Sequence, residues 1–304
     1  MTERPETEFL GLRGLINRAK ADKNEERALE HAKRADQLKP GTEWVLKELL
    51  ELYLKARHYD DAEMILNRMA RGKAANGEKV ARLHAVIGYE RALSKLKAGN
   101  REGAKTLILA AHNRDPGFVP ASVLTISFME AGRKREKVIA DAWRRSPHPD
   151  IAAAVQALIP NETPKDWYAR ATKRFAAIQP DHRETALVLA RASIGASEWG
   201  QARKFLNQAA QADPSSSIYR LLADLDEKAN ADAVAARNWI LKSADAPQDP
   251  LWICGSCGRQ ETSWSAHCPS CDSFDAFTWR KADRGADLQA VLEPEVVEEI
   301  TASV

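Results

Sequence analysis

The sequence predicts an all-α chain: a solenoid of antiparallel helical pairs, closed at its end by a small β/metal-knuckle module. Three observations predict it. Pro116, Pro147, Pro180, Pro214 and Pro247 recur at intervals of 31, 33, 34 and 33 residues. Small residues recur in phase with them. Four cysteines, Cys254, Cys257, Cys268 and Cys271, stand as two C-x2-C pairs ten residues apart.

The proline period is that of a repeat in which two helices form one unit. Ala28, Ala104, Ala202 and Ala235 each lie twelve residues before a proline of the series or its early member Pro40, and Ala92, Ala190 and Ala223 lie twelve further back. Ala35, Ala111, Ala142 and Ala209 stand five residues before a proline, and Ala62 follows Ala28 by 34. Two antiparallel helices approach closely only where side chains are small. A proline then stops the second helix, because it lacks an N–H and disfavours helix in the residue before it. The sequence resembles the tetratricopeptide family here, with degenerate motifs across about residues 9–246.

Taken in order, residues 1–8 are a polar N-terminal tail. In the solenoid, residues 9–246, Trp44, Val45, Leu46, Leu49, Leu50, Leu52 and Tyr53 form a broad apolar helix face that breaks near Arg57 and His58. Ala62, Ile65, Leu66 and Met69, and later Trp199, Ala202, Phe205, Leu206 and Ala209, continue at helical spacing and read as core. The middle departs from the pattern. Arg135 and Tyr168 stand where alanine is expected, and Asn161 to Pro164 interrupts the helical period. Residues 147–165 therefore read as a shortened or distorted repeat. Pro247 to Pro250 is a short linker, 250–281 the knuckle, and 282–304 an acidic tail that composition allows to be either disordered or a short amphipathic helix through Leu288, Val291, Val296, Val297 and Ile300.

Composition excludes several functions. Charged residues make up 29% of 304 residues, yet the net charge is only +2, which argues against a nucleic-acid binder. The cluster Arg133, Lys134, Arg135 and Lys137 reads as a solvated helix face. No apolar stretch reaches the roughly 18 residues of a membrane span, and Met1 to Glu8 lacks the order of a signal peptide. The chain as written reads as soluble, and the soluble part of an anchored protein would read the same. No glycine-rich phosphate loop or nucleophile–base pair is visible, so an enzyme is not expected.

The C-x2-C spacing is the ligand arrangement of a tetrahedral four-thiolate site. Zinc is the expected ion, and iron in a rubredoxin-like site would use the same thiolates. A segment this small has little core of its own, so the ion would supply folding energy. Trp252, Trp264, Phe274, Phe277 and Trp279 read as an apolar coat around two short hairpins, with docking expected either on the last helix near Trp239 or in the solenoid's concave face. His267 beside Cys268 is a poor substitute ligand. His31, His58, His84, His112, His148 and His182 read as surface or packing residues.

The run from Leu251-Trp252-Ile253-Cys254 to Phe277-Thr278-Trp279-Arg280 resembles the ending of the alphaproteobacterial HemY family, tetratricopeptide proteins associated with haem biosynthesis. Leu12-Arg13-Gly14-Leu15 is similar to the start of that family's soluble domain. The repeat-plus-knuckle plan also resembles the lipopolysaccharide-assembly regulator LapB. The HemY resemblance implies a non-enzymatic adaptor held at the bacterial inner membrane by two helices that this sequence lacks, with a reduced, cytoplasm-facing knuckle. Its implied partners are proteins or peptides in the concave groove, among them haem-pathway enzymes, with haem itself a further contact. The family's haem ligands do not carry over to any residue here. An iron-loaded electron carrier is the alternative outside scaffolding.

Overall fold

The computed structural model describes residues 5–70 and 77–282, which form fourteen helices and three short strands. The acidic ending, with its amphipathic reading, lies outside the described residues. The first helices are α1 (Pro5–Ala21), α2 (Glu25–Leu38), α3 (Glu43–Lys55), α4 (Tyr59–Ala70), α5 (Glu78–Lys97), α6 (Arg101–Arg114), α7 (Val119–Phe128) and α8 (Arg133–Arg145). They continue with α9 (Pro149–Gln156), α10 (Pro164–Ala171), α11 (Arg183–Gly195), α12 (Trp199–Ala212), α13 (Ser216–Asn230) and α14 (Ala233–Asp245). Outside α9 and α10, consecutive helices pack as pairs and each pair packs on the next, so the tetratricopeptide-like solenoid is present.

The turns inside the pairs show why the helices stop. Lys23, Arg57, Gly99 and Ser197 each take a left-handed conformation, with φ of 55, 59, 76 and 61°. The following N–H closes back on the helix: Asn24 to the Ala19 carbonyl at 2.8 Å, His58 to Tyr53 at 2.8 Å, Asn100 to Lys95 at 2.9 Å, and Glu198 to Ser193 at 2.9 Å. This Schellman closure favours glycine, yet only one of these four turns carries it. In two of the four the next helix is then capped by a side chain: Asn24 accepts from the Arg27 N–H and Asn100 from the Gly103 N–H.

The in-phase alanines are the contact points. Ala28, Ala62, Ala92, Ala104, Ala142, Ala190, Ala202 and Ala209 are fully enclosed. Ala235 is only half-buried, because α14 is the last described helix and packs on α13 alone. Replacing Ala202 with leucine is expected to overpack the α11–α12 contact and destabilise by about 1–3 kcal/mol. Chemical denaturation measures this, and an unchanged midpoint would mean that the backbones are free to separate there.

The middle is irregular in a specific way. α9 and α10 are each 8 residues long, and α10 runs into a π-helical turn, Thr172–Ala176. α9 packs mainly on α7 and α8 and α10 mainly on α11, so this pair is splayed, with Arg170 of α10 still donating to the Val155 carbonyl of α9 at 2.8 Å. The irregularity reaches past residue 165 to the π turn. Across it runs one core that includes Trp143, Ile151, Val155, Phe175 and Leu189, with the Trp143 indole N–H donating to Thr185 at 3.1 Å.

After α14 the chain forms β1 (Leu251–Cys254), β2 (Gln260–Glu261) and β3 (Phe277–Arg280), one antiparallel sheet in the order β2-β1-β3. The two hairpins expected from the sequence are thus a single three-stranded sheet, with the second cysteine pair in a loop closed by a bridge between His267 and Phe274. The sheet does not sit on the last helix. Trp239 instead stacks on Tyr219 at 5.9 Å and donates to Asp226 at 2.8 Å. Val234 and Leu241 on α14 stay 74% and 60% exposed, so the knuckle does not cover that end of the solenoid.

Candidate metal centre

Each cysteine pair sits in the same backbone turn. In the first, the Gly258 N–H donates to the Cys254 carbonyl at 2.9 Å and the Cys254 N–H to the Arg259 carbonyl at 2.8 Å. In the second, Asp272 donates to Cys268 at 2.8 Å and Cys268 to Ser273 at 3.0 Å. The residue four after the leading cysteine is left-handed in both, Gly258 at φ 74° and Asp272 at φ 56°. Only the first of these is visible as a glycine in the sequence.

The two turns bring the four sulfurs together. Cys254 Sγ lies 3.7 Å from Cys271 Sγ, and Cys257 Sγ lies 3.6 Å from Cys268 Sγ. All four lie within 4.8 Å of one another. A tetrahedral ion with Zn–S bonds of about 2.3 Å needs sulfurs about 3.8 Å apart, so the residues fit such an ion. Cys254 and Cys268 are buried and Cys257 and Cys271 exposed. Hydrogen bonding with the Ser273 hydroxyl and backbone N–H holds the Cys271 thiol down at about 6, whereas Cys257, despite its backbone hydrogen bond at Arg259, is pushed up to about 11 by desolvation and by hydrogen bonds with the other three cysteines, so the cluster by itself favours a thiolate at Cys271 and a thiol at Cys257. His267 is not in the cluster. Its ring packs against Phe274 at 5.2 Å and Tyr59 at 6.4 Å.

The aromatic residues expected to coat the knuckle instead interdigitate with the solenoid. Trp264 meets Phe118 edge-on at 4.8 Å and Tyr89 at 5.8 Å. Phe274 meets Tyr59 at 6.4 Å. His148, at the start of α9, lies 5.4 Å from Trp252 and 4.2 Å from Trp279. The acidic residues also reach across. Asp275 takes both Nε and Nη2 of Arg82, at 2.9 and 2.7 Å, and Asp272 pairs with Arg57 at 3.6 Å. Arg82 lies over the Phe118 ring at 4.2 Å. These two carboxylates bind arginines of the solenoid. The knuckle and its linker together touch solenoid positions from Arg57 to Ser217, mostly at the turns and starts of helices.

The linker is pinned as well. Asp249 accepts from the Ser217 N–H at 3.0 Å, from the hydroxyls of Ser215 and Ser217 at 2.7 and 2.6 Å, and from Arg183 at 2.7 Å. Burial alone would raise this carboxyl, but the Ser217 and Ser215 hydrogen bonds and Arg183 outweigh it and hold it below its ordinary value. The Ser216 N–H donates to the Pro247 carbonyl at 2.9 Å. Past β3, Lys281 pairs with Asp213 and donates to the Pro214 carbonyl at 2.9 Å.

Sequence reasoning did not single out Arg82, Phe118, Arg183 or Asp249, and it read His148 as a surface or packing residue. A signal was present. Phe118, His148, Arg183 and Ser215 each follow a repeat proline within one to three residues, which puts them at the start of the first helix of a pair, on the edge the knuckle lines.

His148 gives the seam a pH dependence. Burial lowers it from 6.5 to about 4, so the folded chain favours the neutral ring. The associated stability is complete above pH 6.5 and is lost as pH falls from there toward about 4. Melting temperature should therefore drop across that window. His148→Asn, which keeps an acceptor for the Asp150 N–H that His148 now caps at 3.1 Å, should flatten the drop. An equal slope in the variant would assign it to other groups.

The chain is similar to a curated protein, "Probable magnetosome protein Mms48" of Magnetospirillum gryphiswaldense, at 28% identity over 207 residues. The match covers 66% of this chain and 45% of the relative, so the chain spans less than half that protein's length. Similar solved structures include the C-terminal part of a TPR repeat-containing protein from Cytophaga hutchinsonii, at 16% identity and TM-score 0.40, covering 78% of this chain and 95% of that one. MamA is similar at 13% identity and TM-score 0.28, covering 67% and 91%. The yeast Sti1 TPR2AB domain, solved as a complex with pHSP90, is similar at 14% identity and TM-score 0.24, covering 79% and 99%. No protein-family model matches the chain.

Proposed function

We propose that this chain is a non-enzymatic scaffold that binds protein segments on its solenoid, and that Cys254, Cys257, Cys268 and Cys271 hold one zinc ion that keeps the knuckle in register with the solenoid. The observation that carries this reading is the seam. The sulfur cluster shares a core with Trp143, Phe175 and Leu189, and knuckle aromatics and carboxylates engage Arg57, Tyr59, Arg82, Phe118 and His148 of the solenoid. Zinc here supplies fold energy and a fixed shape, and the chain's own residues make the contacts. The knuckle occupies the surface around Arg57, Arg82, Phe118 and His148, so partners meet the surfaces that remain beside it.

Elemental analysis of the purified protein tests the metal: about one zinc per chain is expected, and two disulfides with no metal would overturn the assignment. Visible absorbance separates zinc, which is colourless, from the ferric tetrathiolate of an electron carrier. The finer placement, an adaptor for late haem-pathway enzymes at the inner membrane, draws support only from the resemblance of residues 251–280 to the HemY ending. Crosslinking and pull-down with the full-length protein test it: haem-pathway enzymes are the expected capture, and lipopolysaccharide-assembly proteins would favour the LapB-like alternative.

A further inference from the structure

The last helix leaves its outer side bare. Of the seven large apolar side chains that stay exposed among the described residues, three lie on α14: Val234, Ile240 and Leu241, each at least half exposed. With Ala233 and Ala244, also exposed, they share one face, because positions 233, 234, 237, 240, 241 and 244 fall within about 120° of one another around a helix. The end of a helical stack needs a cover over such a face, and no described segment supplies it.

The chain itself passes this face. After β3, Lys281 is fixed to Asp213 and to the Pro214 carbonyl at 2.9 Å. Ala282 then borders the same depression as Ser243 and Ala244, at the C-terminal end of α14. Residues 283–304 start from there. A helix of 13 residues is about 20 Å long, and ten extended residues reach about 33 Å, so the ending can run the whole face with chain to spare.

Its sequence suits that surface. Leu288, Val291, Leu292, Val296, Val297 and Ile300 are interleaved with Glu293, Glu295, Glu298 and Glu299, and no lysine or arginine follows Arg284. The ending holds one of the chain's 45 Lys and Arg residues and six of its 43 Asp and Glu residues, so it carries −5 against +7 for the rest. Arg237 stands in the middle of the apolar face with no hydrogen bond or ion pair among the described residues, and Lys242 stands at its edge, 4.4 Å over the Trp239 ring. Arg220 of α13, also without such a bond among the described residues, borders the depression at Ala282. The acids of α14 are already engaged: Asp232 caps the helix by accepting from the Ala235 N–H at 2.9 Å, and Asp245 has a partner.

We propose that residues 287–300 dock on the outer face of α14 in the same chain, running from Ala244 toward Val234, with their apolar side chains over Leu241, Ile240 and Val234 and their carboxylates on Arg237 and Lys242. The acidic ending is thus the cover of the last repeat, and its docking is independent of what the solenoid binds. Tethering favours this occupant over a second copy, because a short tether presents the segment at an effective concentration on the order of millimolar. It also favours α14 over α1, which exposes Leu10 and Leu15 at the other end of the stack.

The test places the photo-crosslinker p-benzoylphenylalanine in the full chain, in place of Leu241 or of Val234, and maps the captured residues by mass spectrometry. Capture within 287–304 is expected in the monomer band, with a yield that holds over a tenfold dilution. The probe at 241 should capture earlier residues than the probe at 234. Glu295→Lys, Glu298→Lys and Glu299→Lys together should cut the yield at least fivefold. Capture confined to a dimer band that fades on dilution would give the face to a second copy and overturn the proposal. No capture would overturn it too and leave the face to an outside partner. Equal capture by the same probe at Leu10, or a yield unmoved by the three lysines, would refute a charge-matched site on α14.

Discussion

Stripping the metal from the knuckle is expected to lower the melting of the whole solenoid, not only of the knuckle itself. Cys254 and Cys268 are each 1% exposed and share one core with residues of α7, α8, α9 and α11. Structural zinc is worth about 10–16 kcal/mol in small peptides that have no other core. Here the solenoid keeps its own helix pairs, so a loss on the order of 3 kcal/mol is expected, and at about 2–4 °C per kcal/mol for a domain of this size the midpoint falls by roughly 6–12 °C. Calorimetry of the protein before and after chelation reads this, and Cys268→Ser should reproduce it. Hydrogen exchange should rise in α5 and around His148, where the knuckle packs. If the knuckle melted as a separate early transition and the solenoid midpoint stayed fixed, the coupling would be refuted.

Phe118→Ala should produce the second large effect. Phe118 is fully enclosed, with Trp264 at 4.8 Å, Tyr89 at 5.5 Å and the Arg82 guanidinium over its face at 4.2 Å. Truncating a buried phenylalanine costs about 3–5 kcal/mol. The loss falls on the seam, because the ring is the common neighbour of a knuckle tryptophan and of the arginine that holds Asp275. Protease cleavage near Gln248 should accelerate together with the loss of stability. A chain whose knuckle swings on a free linker would show the lowered midpoint with no change in cleavage. A matched control is Trp239→Phe, which lies on the α13–α14 stack away from the knuckle and should leave cleavage near Gln248 unchanged.

How much of this was legible in the sequence varies with the range of the interaction. The buried alanines were readable because helix contacts recur with the repeat, so Ala28, Ala104 and Ala202 announce one another. The turns between helices were less so. Arg57 and Ser197 occupy left-handed positions that glycine usually marks, and the closure back to the helix holds them there. Asp272 does in the second cysteine turn what Gly258 does in the first, with no glycine to show it.

From the residues alone came the helical repeat, the stops at its prolines and the two cysteine turns. Each of these depends on neighbours within about one repeat, where side-chain size and backbone preference act directly. Tertiary structure decided where the knuckle goes. Trp252 and Trp264 read as apolar in any arrangement, and the sequence left both the last helix and the inner face open to them. Burial is non-directional, so it does not choose between apolar surfaces. The directional contacts do. Arg82 finds Asp275 193 residues away and Arg183 finds Asp249 66 residues away, and such pairs become visible only once the helices are stacked and the module is seated on them.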